Sequence, residues 1–213
     1  MERIHNILSG NARVKWLFYG DSITHGAKHT LGWRDFTEIF RERVVWEMQR
    51  GEDLVLNSAH SGFTCEALLH DFDWRAKEFA PTVALVMIGT NDSKRVTADV
   101  FRSQLNELVD RFEAIHTLTV LQTPLPVLGN LDESRASLPE LAQAVRDVAQ
   151  ERRLPLIDHF QSWMDCPAKF YLHADALHPN EHGHLKIAHD IFRAFGIFSD
   201  DSWVCRMFAP NAL

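Results

Sequence analysis

Residues 82–92 read TVALVMIGTND. The first seven are apolar or β-branched with no alternation, as expected for a strand covered by helices on both faces of a parallel sheet. Gly89 stops the run and leaves Thr90, Asn91 and Asp92 at its C-terminal end. The rest of the chain follows from this strand, because a doubly covered strand needs neighbours on both sides and helices above and below.

Those neighbours are readable. Residues 14–19 (VKWLFY) form a first strand ending at Gly20, and 53–57 (DLVLN) a second. Residues 116–122 (HTLTVLQ) form a fourth, stopped by Pro124 and Pro126, and 154–157 (LPLI) a short fifth whose Pro155 places it at an edge or a strand start. Helical periods lie between them. In 33–50 the residues Trp33, Phe36, Phe40, Val44 and Met48 fall three or four apart, with Gly51 as the stop. Thr97 is placed to cap a helix whose stripe is Phe101, Leu105, Leu108, Phe112 and Ile115. Ser137 and Glu140 have capping-box spacing ahead of Leu141, Val145 and Val148. A last helix from about Asn180 buries Leu185, Ala188, Ile191 and Phe195 and ends at Gly196.

Strands alternating with helices imply right-handed crossovers, hence an α/β fold with a parallel sheet of about five strands between helix layers. The stretch 125–136 (LPVLGNLDESRA) is the one long loop, and the tail after Gly196, with Phe198, Trp203 and Phe208, is expected to pack on the body. We read residues 1–213 as one domain.

Composition narrows the function. The chain is 46% hydrophobic and 24% charged, which excludes a disordered or fibrous protein. The net charge is −7 and no Lys/Arg-rich run occurs, so neither nucleic acid nor an anionic membrane surface is an expected partner. The longest apolar run, 83–88, is far shorter than the ~20 residues of a membrane span. The opening MERIHNILSGNARVKW has no apolar signal core or lipidation motif, which makes the cytoplasm the expected address. Cys65, Cys166 and Cys205 are odd in number and widely spaced, consistent with packed, reduced thiols.

In an open parallel sheet, ligands bind beyond the strand C-termini. The segments there are Gly20-Asp21-Ser22 after the first strand, Asn57-Ser58-Ala59-His60-Ser61-Gly62 after the second and Gly89-Thr90-Asn91-Asp92 after the third. Asp175-Ala176-Leu177-His178 precedes the last helix. Together they hold the groups that acyl transfer requires. A serine hydroxyl becomes nucleophilic when an imidazole takes its proton, and the imidazole needs its other nitrogen held by an acceptor. Ser22, His178 and Asp175 are the candidates. The oxyanion of the intermediate needs N–H donors, which the Ser22 and Gly62 backbones and the Asn91 amide can supply. His25, Trp33, Phe63 and residues 125–128 are candidates for shaping a pocket.

In these blocks the chain resembles the SGNH/GDSL hydrolase superfamily. Gly20-Asp21-Ser22 corresponds to the first block, Gly62 to the second, Gly89-Thr90-Asn91-Asp92 to the third and Asp175-x-x-His178 to the last, over residues 14–196. The second block departs from the family's usual N-x-G-x-x-G-x-T, with Ala59 in place of the first Gly and His60 after it. The resemblance implies a flavodoxin-like α/β/α fold with Ser22 as nucleophile, His178 as base and Asp175 as its orienter. The oxyanion hole falls to Ser22, Gly62 and Asn91, with no metal or organic cofactor. It further implies hydrolysis of esters, thioesters or amides through a covalent acyl-enzyme. The family includes carbohydrate acetylesterases, lysophospholipases and thioesterases, and the lack of a long apolar lid favours small acyl groups such as acetyl.

Three other readings fit parts of the pattern. The Ser…Asp…His order also occurs in α/β-hydrolases, but their G-x-S-x-G elbow is absent. A metal site is suggested by His173, His178, His182, His184 and His189 near Asp175, yet neither H-E-x-x-H nor a cysteine partner accompanies them; solvated helix surface accounts for His182 and His189 and a packing role for His184. A non-catalytic binding module on the same scaffold is the third.

Overall fold

Trp16 and Phe18 face one side of the sheet and Leu17 and Tyr19 the other, and each pair belongs to a different core. The computed structural model describes residues 1–26, 30–128 and 133–206. Its sheet comprises β1 (Lys15–Gly20), β2 (Leu54–Asn57), β3 (Val83–Met87), β4 (Leu118–Gln122) and β5 (Leu156–Ile157). All pairings are parallel, in the order β2-β1-β3-β4-β5, which is the flavodoxin-like order. The apolar strand β3 is central and wholly buried, paired with β1 through Leu17↔Ala84 and with β4 through Leu85↔Val120. The Pro155 strand is an edge.

The helices are α1 (Glu2–Ser9), α2 (Ser22–His25), α3 (Phe36–Arg41), α4 (Cys65–His70), α5 (Phe72–Arg75), α6 (Ala98–Ala114), α7 (Leu138–Glu151), α8 (His159–Met164), α9 (Glu181–Ala194) and α10 (Trp203–Arg206). On one face, Ile4, Phe36, Phe40, Ile187 and Phe192 from α1, α3 and α9 pack on Trp16, Phe18, Leu85 and Val120. Phe40 meets Phe18 and Trp16 edge-on, with ring centroids 5.1 and 5.4 Å apart. On the other face, Leu68, Phe72, Phe101, Leu105, Leu141 and Val145 from α4 to α7 pack on Leu17, Tyr19, Ala84 and Val86. The stripes of α6 and α9 bury as their spacing predicts, and Thr97 and Asn180 are the N-caps.

Several local expectations are corrected. The helix expected over 33–50 spans only Phe36–Arg41 and then widens into a π-helical turn, Glu42–Glu47. Asp35 caps its start through the N–H groups of Thr37 and Glu38, so Trp33 lies outside it and is 67% exposed. Its end comes at Gln49, with φ 58°, before Gly51. The Arg50 guanidinium accounts for that stop: it donates to the carbonyls of Leu8, Gly10 and Ala12 and to Asp53, holding the chain out of the helical path.

The capping box at α7 does not form. Ser137 instead donates its hydroxyl to the Ser93 carbonyl at 2.7 Å. In the C-terminal segment Phe198 is partly buried against the core and Val204 and Cys205 are buried, but Trp203 points to solvent; Phe208 lies outside the described residues, as do 129–132 of the long loop. Helices α1, α4, α5 and α8 are too short to show a period in the sequence. All three cysteines are free and buried, and no helix among the described residues is long and apolar enough to cross a membrane.

Candidate active site

β1 runs into α2 at Gly20-Asp21-Ser22. A Cβ on Gly20 would lie 2.2 Å from the Met87 carbonyl oxygen, so only glycine lets the ends of β1 and β3 come this close. Asp21 caps α2 by accepting the Ile23 N–H at 3.0 Å. The helix lasts one turn, closed by Gly26 in the left-handed region, whose N–H bonds to the Ser22 carbonyl at 3.1 Å. Ser22 therefore stands at the first position of a capped helix, above the sheet edge.

The segment before α9 supplies the imidazole. Residues 172–180 fold back on themselves: Ala174 N–H donates to the His178 carbonyl at 2.8 Å and Asn180 N–H to the Leu172 carbonyl at 2.9 Å. Inside this loop the Asp175 carboxylate accepts the N–H groups of Leu177 and His178 at 2.8 and 2.7 Å. Its Oδ2 lies 2.9 Å from His178 Nδ1, and His178 Nε2 lies 3.0 Å from Ser22 Oγ. A carboxylate can only accept, so Nδ1 carries the proton and Nε2 turns its lone pair to the hydroxyl. Partial burial pushes the Asp175 carboxyl up, but the two backbone donors and the imidazole outweigh it and hold it at about 2.

The third group of segments follows the C-terminal ends of β2 and β3, on the same edge of the sheet. Asn57 fixes the start of the β2 loop by donating to the Thr24 carbonyl at 2.7 Å and accepting from Ala59 N–H at 3.2 Å. Gly62 in that loop has φ 85°, which a side chain would strain. Among the described residues, no partner receives the backbone N–H of Ser22 or of Gly62. Asn91 Nδ2 donates one hydrogen to the Phe63 carbonyl at 2.9 Å, leaving its second for another acceptor. Ser22, Asp175, His178, Gly62 and Asn91 thus lie on one edge of the sheet, as their positions in the sequence suggest.

Two buried acids support these segments; in the sequence alone each reads as a turn former beside its Gly or Asn. Asp21 is 1% exposed, and burial pushes its carboxyl up to about 7, aided by the nearby Asp92. Asp92 accepts the Cys65 N–H at 2.8 Å, tying the Asn91 turn to the start of α4, and burial raises it to about 6. Each keeps its second oxygen buried. Arg135, buried in the loop before α7, donates to the Thr90 carbonyl and draws the Asp21 acid back down.

The remaining histidines are dispersed. His173 packs edge-on against Trp163 at 5.1 Å, and burial lowers it to about 4. His182 is half-exposed, and His184 is buried with Nδ1 accepting from Phe36 N–H at 3.3 Å. His189, expected on the helix surface, is buried because α10 folds over it: its Nε2 donates to the Val204 carbonyl at 2.8 Å. No three His, Cys, Asp or Glu side chains among the described residues are grouped to hold a metal ion. Of the candidate pocket residues, Phe63 and the 125–128 segment border the site, the latter through Leu128 N–H to the Ala176 carbonyl at 3.0 Å, whereas Leu125 itself is core.

Known proteins agree with this architecture. LAE5, an alpha/beta hydrolase enzyme from the metagenome of Lake Arreo, Spain, superposes with a TM-score of 0.77 at 23% identity, covering 89% of this chain and 98% of its own. The acetyl xylan esterase AlAXEase superposes at 0.75 and 18% identity, covering 85% and 99%. At these identities the likeness is one of fold. A curated relative, an uncharacterized protein of Mycoplasma pneumoniae, is 27% identical over 113 residues; the match takes in 50% of this chain but only 13% of that relative's length. Residues 18–186, from the strand that delivers Ser22 to the helix behind His178, match the profile of the GDSL-like lipase/acylhydrolase family, and the chain belongs to that family.

Proposed function

We propose that the protein is a serine esterase that hydrolyses carboxylic esters of small acyl groups, acetyl esters above all, with carbohydrate acetates among the candidate substrates, through a covalent acyl-enzyme. The observation that carries this reading is the unbroken line Asp175 Oδ2–His178 Nδ1, 2.9 Å, and His178 Nε2–Ser22 Oγ, 3.0 Å. In the first step Ser22 Oγ bonds to the ester carbonyl carbon while its proton passes to His178 Nε2, and Asp175 steadies the imidazolium. The carbonyl oxygen becomes an oxyanion facing the N–H groups of Ser22, Gly62 and Asn91. Collapse breaks the ester C–O bond, and the leaving alkoxide takes the proton from Nε2. Water then attacks the acyl-serine with the same base, releasing the carboxylic acid and restoring Ser22.

Support for small acyl groups comes from the absence of a long apolar lid sequence; AlAXEase, of the same fold, is an acetyl xylan esterase. Lysophospholipase or thioesterase activity is the second reading. A fluorophosphonate probe should label Ser22, and p-nitrophenyl acetate should be cleaved faster than its octanoate, with no loss of rate on adding a chelator. No adduct and no turnover on any acyl length would overturn the assignment; a preference for octanoate would favour the lysophospholipase alternative.

A further inference from the structure

The Gly62 loop is exposed and left-handed, yet its N–H must hold its place to within a fraction of an ångström if it is to meet an oxyanion. Two side chains tie it down, one on either side of Gly62. After it, the Phe63 carbonyl receives the Asn91 amide at 2.9 Å. Before it, Ser61 Oγ lies 3.0 Å from His25 Nδ1. His25 is the last residue of α2, the single turn that begins at Ser22 and is fixed by Asp21 at one end and Gly26 at the other. Ser22 and His25 therefore belong to one capped turn, and the contact from His25 to Ser61 links that turn directly to the residue before Gly62.

The ring is also supported. His60, which follows Ala59 in the second block, lies parallel to His25 with centroids 6.2 Å apart and against Phe63 at 4.4 Å. Its Nδ1 donates to the Ser61 carbonyl at 2.9 Å, and its backbone N–H donates to the Gly20 carbonyl at 3.1 Å. The Arg75 guanidinium lies over the Phe63 ring, 5.2 Å from its centre. The contacts run His25–Ser61–Gly62–Phe63–Asn91 and join all three oxyanion donors.

We infer that His25 is a positioning residue, a latch from the nucleophile's own helix that keeps the Gly62 N–H aligned with those of Ser22 and Asn91. This rests on the esterase reading of the same site. The latch works through a hydrogen bond at Nδ1, which either accepts from the Ser61 hydroxyl or donates to it. Asparagine places a polar atom at the same distance from the backbone and keeps it; alanine removes it.

The test measures kcat and KM on p-nitrophenyl acetate, together with backbone amide exchange of the 58–64 loop, in the parent protein, His25→Ala, His25→Asn, Ser61→Ala and the His25→Ala/Ser61→Ala pair. The latch predicts that His25→Ala and Ser61→Ala each lower kcat about 10-fold, less than the 10²–10³ of losing a whole donor. KM stays unchanged, and Gly62 and Phe63 exchange faster. The double variant should be no worse than either single one, and His25→Asn should recover most of kcat and protection. Parent-like kcat and exchange in His25→Ala, or fully additive losses in the pair, overturn the latch. A Ser22→Ala control and the fluorophosphonate separate the two ideas. A parent protein with neither turnover nor adduct defeats the esterase reading, and the exchange data then decide the latch alone: unchanged exchange in His25→Ala sinks it, faster exchange upholds it.

Discussion

Asn91 commits one amide hydrogen to the Phe63 carbonyl and presents the other at the sheet edge. If that second hydrogen meets the oxyanion, Asn91→Ala removes a charge-stabilising donor and should cost ~2.7–4 kcal/mol of transition-state stabilisation, on the order of 10²–10³ in kcat. Steady-state kinetics on a short ester check this, and an unchanged kcat removes Asn91 from the mechanism. Asp175→Asn should cost less than Ser22→Ala or His178→Ala, because the backbone bonds of the loop keep His178 in place without the charge; pre-steady-state acylation rates in the three variants give the ranking. The residues of this set were visible in the sequence because hydroxyl, imidazole and carboxylate types fell at the ends of alternating elements. Asp21 and Asp92 were not, since an Asp beside a Gly or Asn reads as a turn former and burial leaves no mark in the local sequence.

At the scale of elements, α2 shows how four residues can be held helical by their ends alone. Asp21 and Gly26 supply the caps, and Gly20 supplies the close approach to β3. Gly20→Ala forces a Cβ against the Met87 carbonyl oxygen, where backbone has to move. It should lower stability by ~1–3 kcal/mol and slow fluorophosphonate labelling of Ser22, because the same shift displaces the nucleophile. Urea unfolding and labelling rate are the readouts, and a parent-like midpoint would show that the strand ends can part freely. The long stripes of α6 and α9 were legible because four or more buried positions repeat on one face. The helix expected over 33–50 was overextended because apolar spacing cannot register Arg50, whose bonds reach residues some forty positions earlier in the chain. Ser137 failed as a cap for a similar reason: the Ser93 carbonyl, on another element, holds its hydroxyl.

Across the whole molecule the site's acids set opposite pH dependences. Asp21 and Asp92 titrate above an unfolded carboxyl, at about 7 and about 6, because the fold disfavours their charged forms. Their contribution to stability is complete below about pH 4 and is lost as pH rises through 6 to 7. Asp175, held at about 2, behaves the other way: its contribution is present above about pH 4 and disappears as pH falls towards 2. Asp21→Asn keeps an acceptor for the Ile23 N–H while removing the buried charge. It should therefore raise stability at about pH 8 by up to a few kcal/mol, at ~1.4 kcal/mol per pKa unit, and leave it unchanged at about pH 4. Urea denaturation at both pH values is the measurement. An equal effect at the two would mean that Asp21 acts through packing and not through its charge.

The sequence by itself determined the layer architecture and the chemical inventory of the site, because hydrophobic period and residue type are local properties of the chain. Only the tertiary structure decided that Ser22 and His178, 156 positions apart, stand 3.0 Å from one another. It alone also showed that Asp21 and Asp92 are buried, that His189 lies under the C-terminal segment and that His25 reaches Ser61. Distances and desolvation are set by which elements pack together, and no single segment carries that information.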